Sequence, residues 1–181
     1  MSLIDLNSQD DADSISTFAV VASSVAPSLN KSMISLANIS SSKIAKIRSI
    51  YMTNVQTTAV TGVMLNFELR KFATHSAGTL LVPIEYDSTK TIDSNISART
   101  GGTIVSEGSI IRRWTFSSDE HGVGAVDVES ADHGLMSLIP IFAQEKYAAP
   151  IVLRQNQGIH LKQTANSTIG SFDINIVFTQ E

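Results

Sequence analysis

The feature that most constrains the fold is a two-residue alternation of apolar and polar side chains, which continues along most of the chain after residue 31. It is clearest over residues 61–71, where one side carries four large apolar residues: Val63, Leu65, Phe67 and Leu69. Successive side chains of a strand point to opposite faces, so this pattern indicates a half-buried strand. No segment has the i, i+3, i+4, i+7 spacing of a substantial helix, and the chain is therefore predicted to be all-β.

Similar alternation predicts further strands, which are 45–53, 80–86, 109–117, 135–143, 151–164 and 171–179. Pro83 cannot donate to a ladder, so we expect its strand at a sheet edge or at a bulge. Residues 87–103 are predicted to be a long connection, and the last two strands are expected to pair across a turn at 165–170. About eight or nine strands without a βαβ rhythm favour an antiparallel two-sheet β-sandwich of jelly-roll or related Greek-key type.

The length of 181 residues is typical of one domain, with at most an added arm. Residues 1–30 are polar and weakly periodic, and they are predicted to form an acidic N-terminal arm with room for one strand. Residues 31–181 are then a single β-sandwich domain. The first residues carry acids where a secretory leader has a basic region, so we expect synthesis in a cytoplasm without export by the general route. The chain has no Cys, which excludes thiolate chemistry and Cys-ligated zinc.

Charge is scarce but segregated along the chain. Only 17% of residues are charged, against about 25% in an average soluble domain. Acids without any base occupy 1–30 and 119–132, whereas 31–118 is basic. This separation predicts a homo-oligomer, most simply a cyclic trimer, although solvated loops that simply collect acids explain it about as well. The residues proposed for the interface are Leu3, Ile4, Leu6, Asp119, Glu120, Asp127, Glu129 and Asp132.

The segment 118–134 holds the one constellation that suggests chemistry, because His121 and His133 stand among its carboxylates. Its spacing matches neither an EF-hand nor another ligand pattern, so a solvated or interface-forming loop is favoured over a metal site. The chain also lacks the Gly-x-Ser-x-Gly elbow of a serine hydrolase and the Walker phosphate loop. The sequence therefore predicts no catalytic residue, no cofactor and no metal, and dispersed bases give nucleic-acid binding little support.

Five single residues carry expectations that a structure can test. His75, at a turn, and His160, on the polar side of its strand, are expected to be exposed or lightly packed. Trp114 is expected in the core. Arg112 and Arg113 should point to opposite faces, with the Arg112 guanidinium reaching water rather than a buried acid.

Three stretches carry a resemblance: the strand 61–71, the strand containing Ile110 to Trp114, and the ending from Ala149 to Phe178. In style and order they resemble small β-rich structural proteins of tailed bacteriophage virions, such as auxiliary or decoration proteins. The resemblance implies a non-enzymatic virion protein that associates with itself and with a capsid or neighbouring virion protein. The alternative is a carbohydrate- or receptor-binding β-sandwich of a phage fibre, against which aromatic residues are only 6%. An enzyme ranks third.

Overall fold

The computed structural model of the protein describes residues 15–55, 63–118, 138–145, 149–164 and 170–181, and these contain strands but no helix. The strands are β1 (Ser16–Val25), β2 (Ser32–Asn38), β3 (Ala45–Asn54), β4 (Val63–Ser76), β5 (Thr79–Leu81), β6 (Ile84–Glu85), β7 (Ile96–Thr100), β8 (Thr103–Ser118), β9 (Leu138–Ala143), β10 (Ile151–Leu153), β11 (Gln157–Gln163) and β12 (Phe172–Gln180). Within these ranges there is accordingly no helix that could cross a bilayer.

Two antiparallel sheets of six strands each form the fold, which confirms the predicted β-sandwich. Sheet A has the order β10-β3-β12-β1-β6, and β9 also pairs with β3; sheet B has the order β5-β7-β2-β11-β4-β8. Among the described strands, no two that follow each other in the chain are paired. The pairing expected between 151–164 and 171–179 is therefore wrong, because β11 lies in sheet B and β12 in sheet A.

The core between the sheets is built from the inward-facing residues of the alternating strands. Phe18 stacks on Phe178 with ring centroids 5.6 Å apart, and Phe67 of sheet B meets Phe172 of sheet A edge to face at 5.9 Å. All four rings are at most 1% exposed. Burial of each such side chain contributes about 1.5–3 kcal/mol, so the alternation recognised in the sequence holds the two sheets together.

The segment predicted as an arm contributes an inner strand. β1 pairs with β12 from Ser16 to Val25 and with β6 on its other side. The sandwich therefore includes β1, the one strand for which the predicted segment 1–30 left room. Residues 1–14 lie outside the described residues.

Pro83 stands where the chain passes from one sheet to the other. The single strand expected over 80–86 is divided into β5, at the edge of sheet B, and β6, at the edge of sheet A. The edge position expected from the missing N–H of proline is confirmed for both pieces.

The connection expected over 87–103 is wrong in part, because it contains β7 and the first residue of β8. The β4/β8 pairing runs from Val63 opposite Ser118 to Ser76 opposite Thr103. After a break, where Ala77 and Gly78 have positive φ, the β5/β7 pairing begins with Thr79 opposite Thr100. These strands thus form one long two-stranded ladder that bends at this break.

The bent ladder covers the outer face of sheet B. His75 of β4 contacts the side chains of Ser35 on β2 and Ser97 on β7, which lie beyond β11 in the sheet order. To reach them, residues 72–76 and their partners 103–107 must cross over the face of the sheet. We call residues 72–76 and 103–107 the ribbon. Its cover explains why all seven residues of β2 are buried, although a sheet with one wet face would alternate.

Candidate functional site

Two rows of neighbouring residues lie across β4, β11, β2 and β7 where the ribbon crosses the sheet, and Phe72, the first residue of the ribbon, belongs to the second row. The first row consists of Arg70, His160, Ser35 and Arg99, and the second of Phe72, Gly158, Ala37 and Ser97. Gly158 provides the space for the Phe72 ring, since a Cβ on this glycine would lie 2.3 Å from Phe72 Cζ. The Phe72 ring therefore occupies the space that a side chain at position 158 would fill.

His75 ties the ribbon to two strands of the sheet. Its Nδ1 lies 2.7 Å from Ser35 Oγ and its Nε2 lies 2.8 Å from Ser97 Oγ. Burial, followed by the nearby charge of Arg99, lowers the pKa of His75 from 6.5 to about 4. The ring is thus neutral at pH 7, and it is half-buried with both nitrogens in hydrogen bonds, so it is held more firmly than the exposed or lightly packed residue that the sequence predicts. Ser35 is fully buried, so this serine–histidine pair links strands and does not face a substrate.

His160 is the most deeply buried titratable group of the surface, with 1% of its area exposed. Neither ring nitrogen makes a hydrogen bond within the described part of the chain, and Nε2 lies 3.7 Å from Glu107 Oε1. Burial lowers the pKa of His160 to about 4, even though the carboxylate of Glu107 acts in the opposite direction. The expectation that this residue is exposed is wrong. The outward position was read correctly, but the ribbon covers it.

The Phe72 ring lies between the two histidines. Its centroid is 5.6 Å from that of His75, which it stacks on, and 5.6 Å from that of His160, which it meets edge to face. The two imidazoles and the phenyl ring form one cluster, which we call the histidine cluster. It connects the ribbon to β11.

A chain of ion pairs of alternating sign borders the histidine cluster. Glu107 of the ribbon accepts hydrogen bonds from Lys162 Nζ at 2.9 Å and from Arg70 Nη1 at 2.9 Å. Arg70 also lies 3.4 Å from Glu68, which pairs with Arg113 Nε at 2.7 Å. Burial alone raises the pKa of Glu107, but Lys162, with His160 and Arg70, outweighs it and holds that pKa below its ordinary value. The carboxylate therefore remains charged at the ribbon's border.

The two adjacent arginines of β8 behave as expected. Arg113 is exposed on the outer face, whereas Arg112 lies on the other side, in register with Leu69. Arg112 is also exposed, and its Nη1 donates to the carbonyl of Ile141 at 3.2 Å, across the open side of the sandwich. Trp114 packs against the core and stacks on Phe67 at 5.5 Å, in agreement with the core position expected for it.

An exposed apolar segment forms the second candidate site. Along residues 80–86, which we call the edge segment, four large side chains are more than half exposed: Leu80 at 55%, Val82 at 78%, Ile84 at 59% and Tyr86 at 65%. The sequence predicted a strand here but not its exposure, because alternation alone does not show which face is covered. Pro83 was the available signal, since it indicates an edge.

The interface residues predicted from the sequence all lie outside the described residues. This holds for the apolar group Leu3, Ile4 and Leu6, for the acidic group Asp119, Glu120, Asp127, Glu129 and Asp132, and for His121 and His133. Within the described ranges, no three His, Asp or Glu side chains are placed to hold a metal ion.

Comparison with known proteins adds no relative: no family model, curated protein or solved structure matches this chain. The candidate sites are therefore the exposed edge segment and the covered histidine cluster, each defined by its own geometry.

Proposed function

We propose that this chain is a non-enzymatic structural protein that associates with copies of itself and with a capsid or neighbouring virion protein. The observation that carries the proposal is the edge segment, where four large apolar side chains stand in water at the joined edges of both sheets. Contiguous apolar surface on a soluble domain typically marks a contact with another molecule. The virion setting is the expectation from the resemblance of the strands.

The edge segment is suited to contact through side chains. Burial of a Leu, Val or Ile gains about 1.5–3 kcal/mol, and this gain must exceed the cost of association. β5 and β6 have only three and two residues, and Pro83 between them has no N–H to donate. Pairing of these edge strands with a strand of another molecule is therefore limited to short stretches. Packing of Val82 and Ile84 against that molecule supplies most of the binding affinity.

A second copy of the chain is the occupant we infer for this surface. The edge segment contains Glu85 and continues into Asp87, while the chain as a whole separates basic from acidic stretches. Such separation orients copies of one protein against each other, while the apolar contact provides stability. Self-association and virion binding are separate parts of the proposal and need separate tests.

The test of self-association is the mass in solution of the double variant Val82→Asn, Ile84→Asn. We expect the wild type to be oligomeric at tens of micromolar by light scattering, and the variant to be largely monomeric with unchanged circular dichroism. The matched control is Ile39→Asn, Val105→Asn, which changes two side chains that are each 46% exposed outside the segment. A monomeric wild type, or equal dissociation of both variants, would overturn the proposal.

The test of the virion setting is binding to capsid shells. Purified protein is mixed with shells of tailed bacteriophages that lack auxiliary proteins, and bound protein is measured by cosedimentation and electron microscopy. Ordered binding to one shell type is the expected result. If the protein oligomerises but no shell binds it, the structural role stands and the virion assignment does not.

Carbohydrate binding is the second candidate, favoured by a shallow groove of about 420 Å³ beside Trp114. Polar side chains line it: Asn66, Glu68, Arg113, Thr115 and Thr164. Their amide, carboxylate, guanidinium and hydroxyl groups are the donors and acceptors that bind sugar hydroxyls. Saturable change of tryptophan fluorescence with an oligosaccharide, lost in Arg113→Ala, would support this function over assembly.

A further inference from the structure

We propose that the ribbon is an acid-released flap, which opens from the outer face of sheet B when His75 and His160 become protonated. The proposal concerns a different surface from the edge segment and does not rest on the proposed self-association. It is based on the contacts that hold residues 72–76 and 103–107 against sheet B.

His75 holds the ribbon to the sheet through hydrogen bonds to two serine hydroxyls. Between two serine hydroxyls, a neutral His75 ring can donate from one nitrogen and accept at the other. A protonated ring has two donors and no acceptor, so the Ser35 hydroxyl must then accept a hydrogen bond from His75. The same hydroxyl can donate its own hydrogen to the carbonyl of Arg99 at 3.3 Å. The pair at 2.7 Å tolerates this change, but the added charge then lies beside Arg99 in a half-buried position.

The surroundings of His160 make its charging unfavourable as well. Lys162 on its own strand and Arg70 on β4 oppose a positive charge, whereas Glu107 on β8 and Glu68 on β4 favour it. Glu107 is already engaged by Lys162 and Arg70, and its distance of 3.7 Å from Nε2 is longer than a hydrogen bond. Burial at 1% exposure is the largest of these effects, and it can be relieved only if the cover moves away.

The direction of the pH effect follows from these environments. Both histidines have a pKa of about 4 when covered and an ordinary value of 6.5 when free in water. Protons therefore bind the open form more tightly, and the closed form loses stability as the pH falls from about 6.5 towards 4. The difference between 6.5 and about 4 is about 2.5 pKa units, so one group changes the opening equilibrium by up to roughly three-hundredfold once the pH is below both values.

Opening would uncover a surface that is dry at neutral pH. Ser35 and Ala37 of β2 are each at most 1% exposed, and Gly158 and His160 of β11 are buried beside them. The strands beneath keep their ladder bonds to each other, because β2 pairs with both β11 and β7. Acid thus exposes a new face of sheet B without dissolving the sandwich.

The test is hydrogen–deuterium exchange of the full chain at pH 7.0, 6.0 and 5.0, corrected for the intrinsic rate at each pH. We expect the protection of ribbon amides, in peptides covering 72–81 and 99–107, to fall by at least tenfold from pH 7.0 to pH 5.0. Amides of β12 in the same molecule should keep their protection. Equal protection of the ribbon at all three values, or equal loss in β12, would overturn the proposal.

A variant shows whether the histidines are responsible. His75→Gln, His160→Gln should remove most of the pH dependence in the ribbon, since glutamine does not titrate. The matched control is His121→Gln, His133→Gln, which removes the other two histidines of the chain and should retain the wild-type response. Full pH dependence without His75 and His160 would contradict the assignment.

A second measurement on the wild type does not depend on the folding of any variant. Nuclear magnetic resonance titration of the four imidazoles should show two that titrate well below pH 6, accompanied by changes in ribbon resonances. If all four titrate near 6.5, the histidines do not lock the ribbon and the proposal fails.

Discussion

Sheets A and B are built from the same kind of strand, but they differ in how many faces they bury. β12 of sheet A alternates between buried and half-buried residues along most of its length, because only its inner face meets the core. β2 of sheet B is buried at all seven positions, because the core lies on one side and the ribbon on the other. The comparison teaches that the same two-residue pattern can describe a strand with one covered face or with two.

The two sheets also use polar residues differently. On sheet A, Lys46 pairs with Glu181 at the end of the chain, where both side chains are partly exposed. On sheet B, five charged side chains and two histidines are gathered at the border of the ribbon and beneath it. A covered polar surface needs partners for its groups, so sheet B carries an ion-pair chain that sheet A does not need.

The largest expected effect concerns the core that the two sheets share. Phe178→Ala should lower the free energy of unfolding by about 3–5 kcal/mol, because it leaves a cavity against Phe18. Val21→Ala, on the outer face of the same sheet at 42% exposure, should cost less than about 1 kcal/mol. Urea unfolding followed by circular dichroism measures both. Similar losses would show that the two faces of sheet A are not as different as described.

The second effect tests the cover on sheet B. Gly158→Ala places a methyl group against the Phe72 ring and should cost about 1–3 kcal/mol through overpacking. Gly108→Ala is the control, because a Cβ added at residue 108 would lie 3.4 Å from Lys71 Cβ, which is an ordinary van der Waals contact. Combining Gly158→Ala with Phe72→Leu should recover part of the loss in a double-mutant cycle. A neutral Gly158→Ala would mean that the ribbon does not lie on β11.

The third effect concerns the ion-pair chain. Glu107→Gln leaves Lys162 and Arg70 without their shared acid and should cost about 1–2 kcal/mol at pH 7, between the values for exposed and buried pairs. The lowered pKa of Glu107 means that its contribution is complete above the ordinary value of 4.5 and is lost as the pH falls through the lower folded value. The difference between wild type and variant in urea unfolding should therefore shrink from pH 7 to pH 3. A constant difference would show that the charge of Glu107 is not the cause.

The smallest effect is expected from the partly exposed pair of Lys46 and Glu181 on sheet A, where Arg48 also lies 3.8 Å from Glu181. Lys46→Ala should change the free energy of unfolding by less than about 1 kcal/mol, and 0.5 M salt should reduce the effect further. Urea unfolding at low and high salt measures it. A loss as large as that of Glu107→Gln would remove the contrast drawn between the polar residues of the two sheets.

Strand positions were largely predictable, but strand partners were not. The segments 45–53 and 171–179 appear as β3 and β12 with small shifts at their ends, whereas 61–71 corresponds to β4, which continues to Ser76. β7 was missed because Ile96 and Ala98 give only one apolar pair in a polar stretch. The partners of each strand are set by loop paths and by packing between sheets, and neither leaves a local pattern.

At the candidate sites, the strand position of a residue was predictable but its exposure was not. The sequence assigns one side of a strand to Leu80, Val82, Ile84 and Tyr86. Only the position of this segment at the edges of sheets B and A shows that the side faces water. His160 was assigned correctly to the outer side of its strand, and its burial follows from the ribbon, whose residues lie 53 to 88 positions earlier in the chain.

The sequence by itself determined the class of the fold, because side-chain alternation is a local property that directly reflects the geometry of a strand. It also determined the edge character at Pro83, since the missing N–H belongs to that residue alone. The tertiary structure decided which faces are dry. A bent ladder, made possible by Ala77 and Gly78, brings Phe72, His75 and Glu107 over Gly158 and His160. The burial of a side chain depends on residues that are close in space but distant in the chain, so only the folded chain sets the pKa values of both histidines.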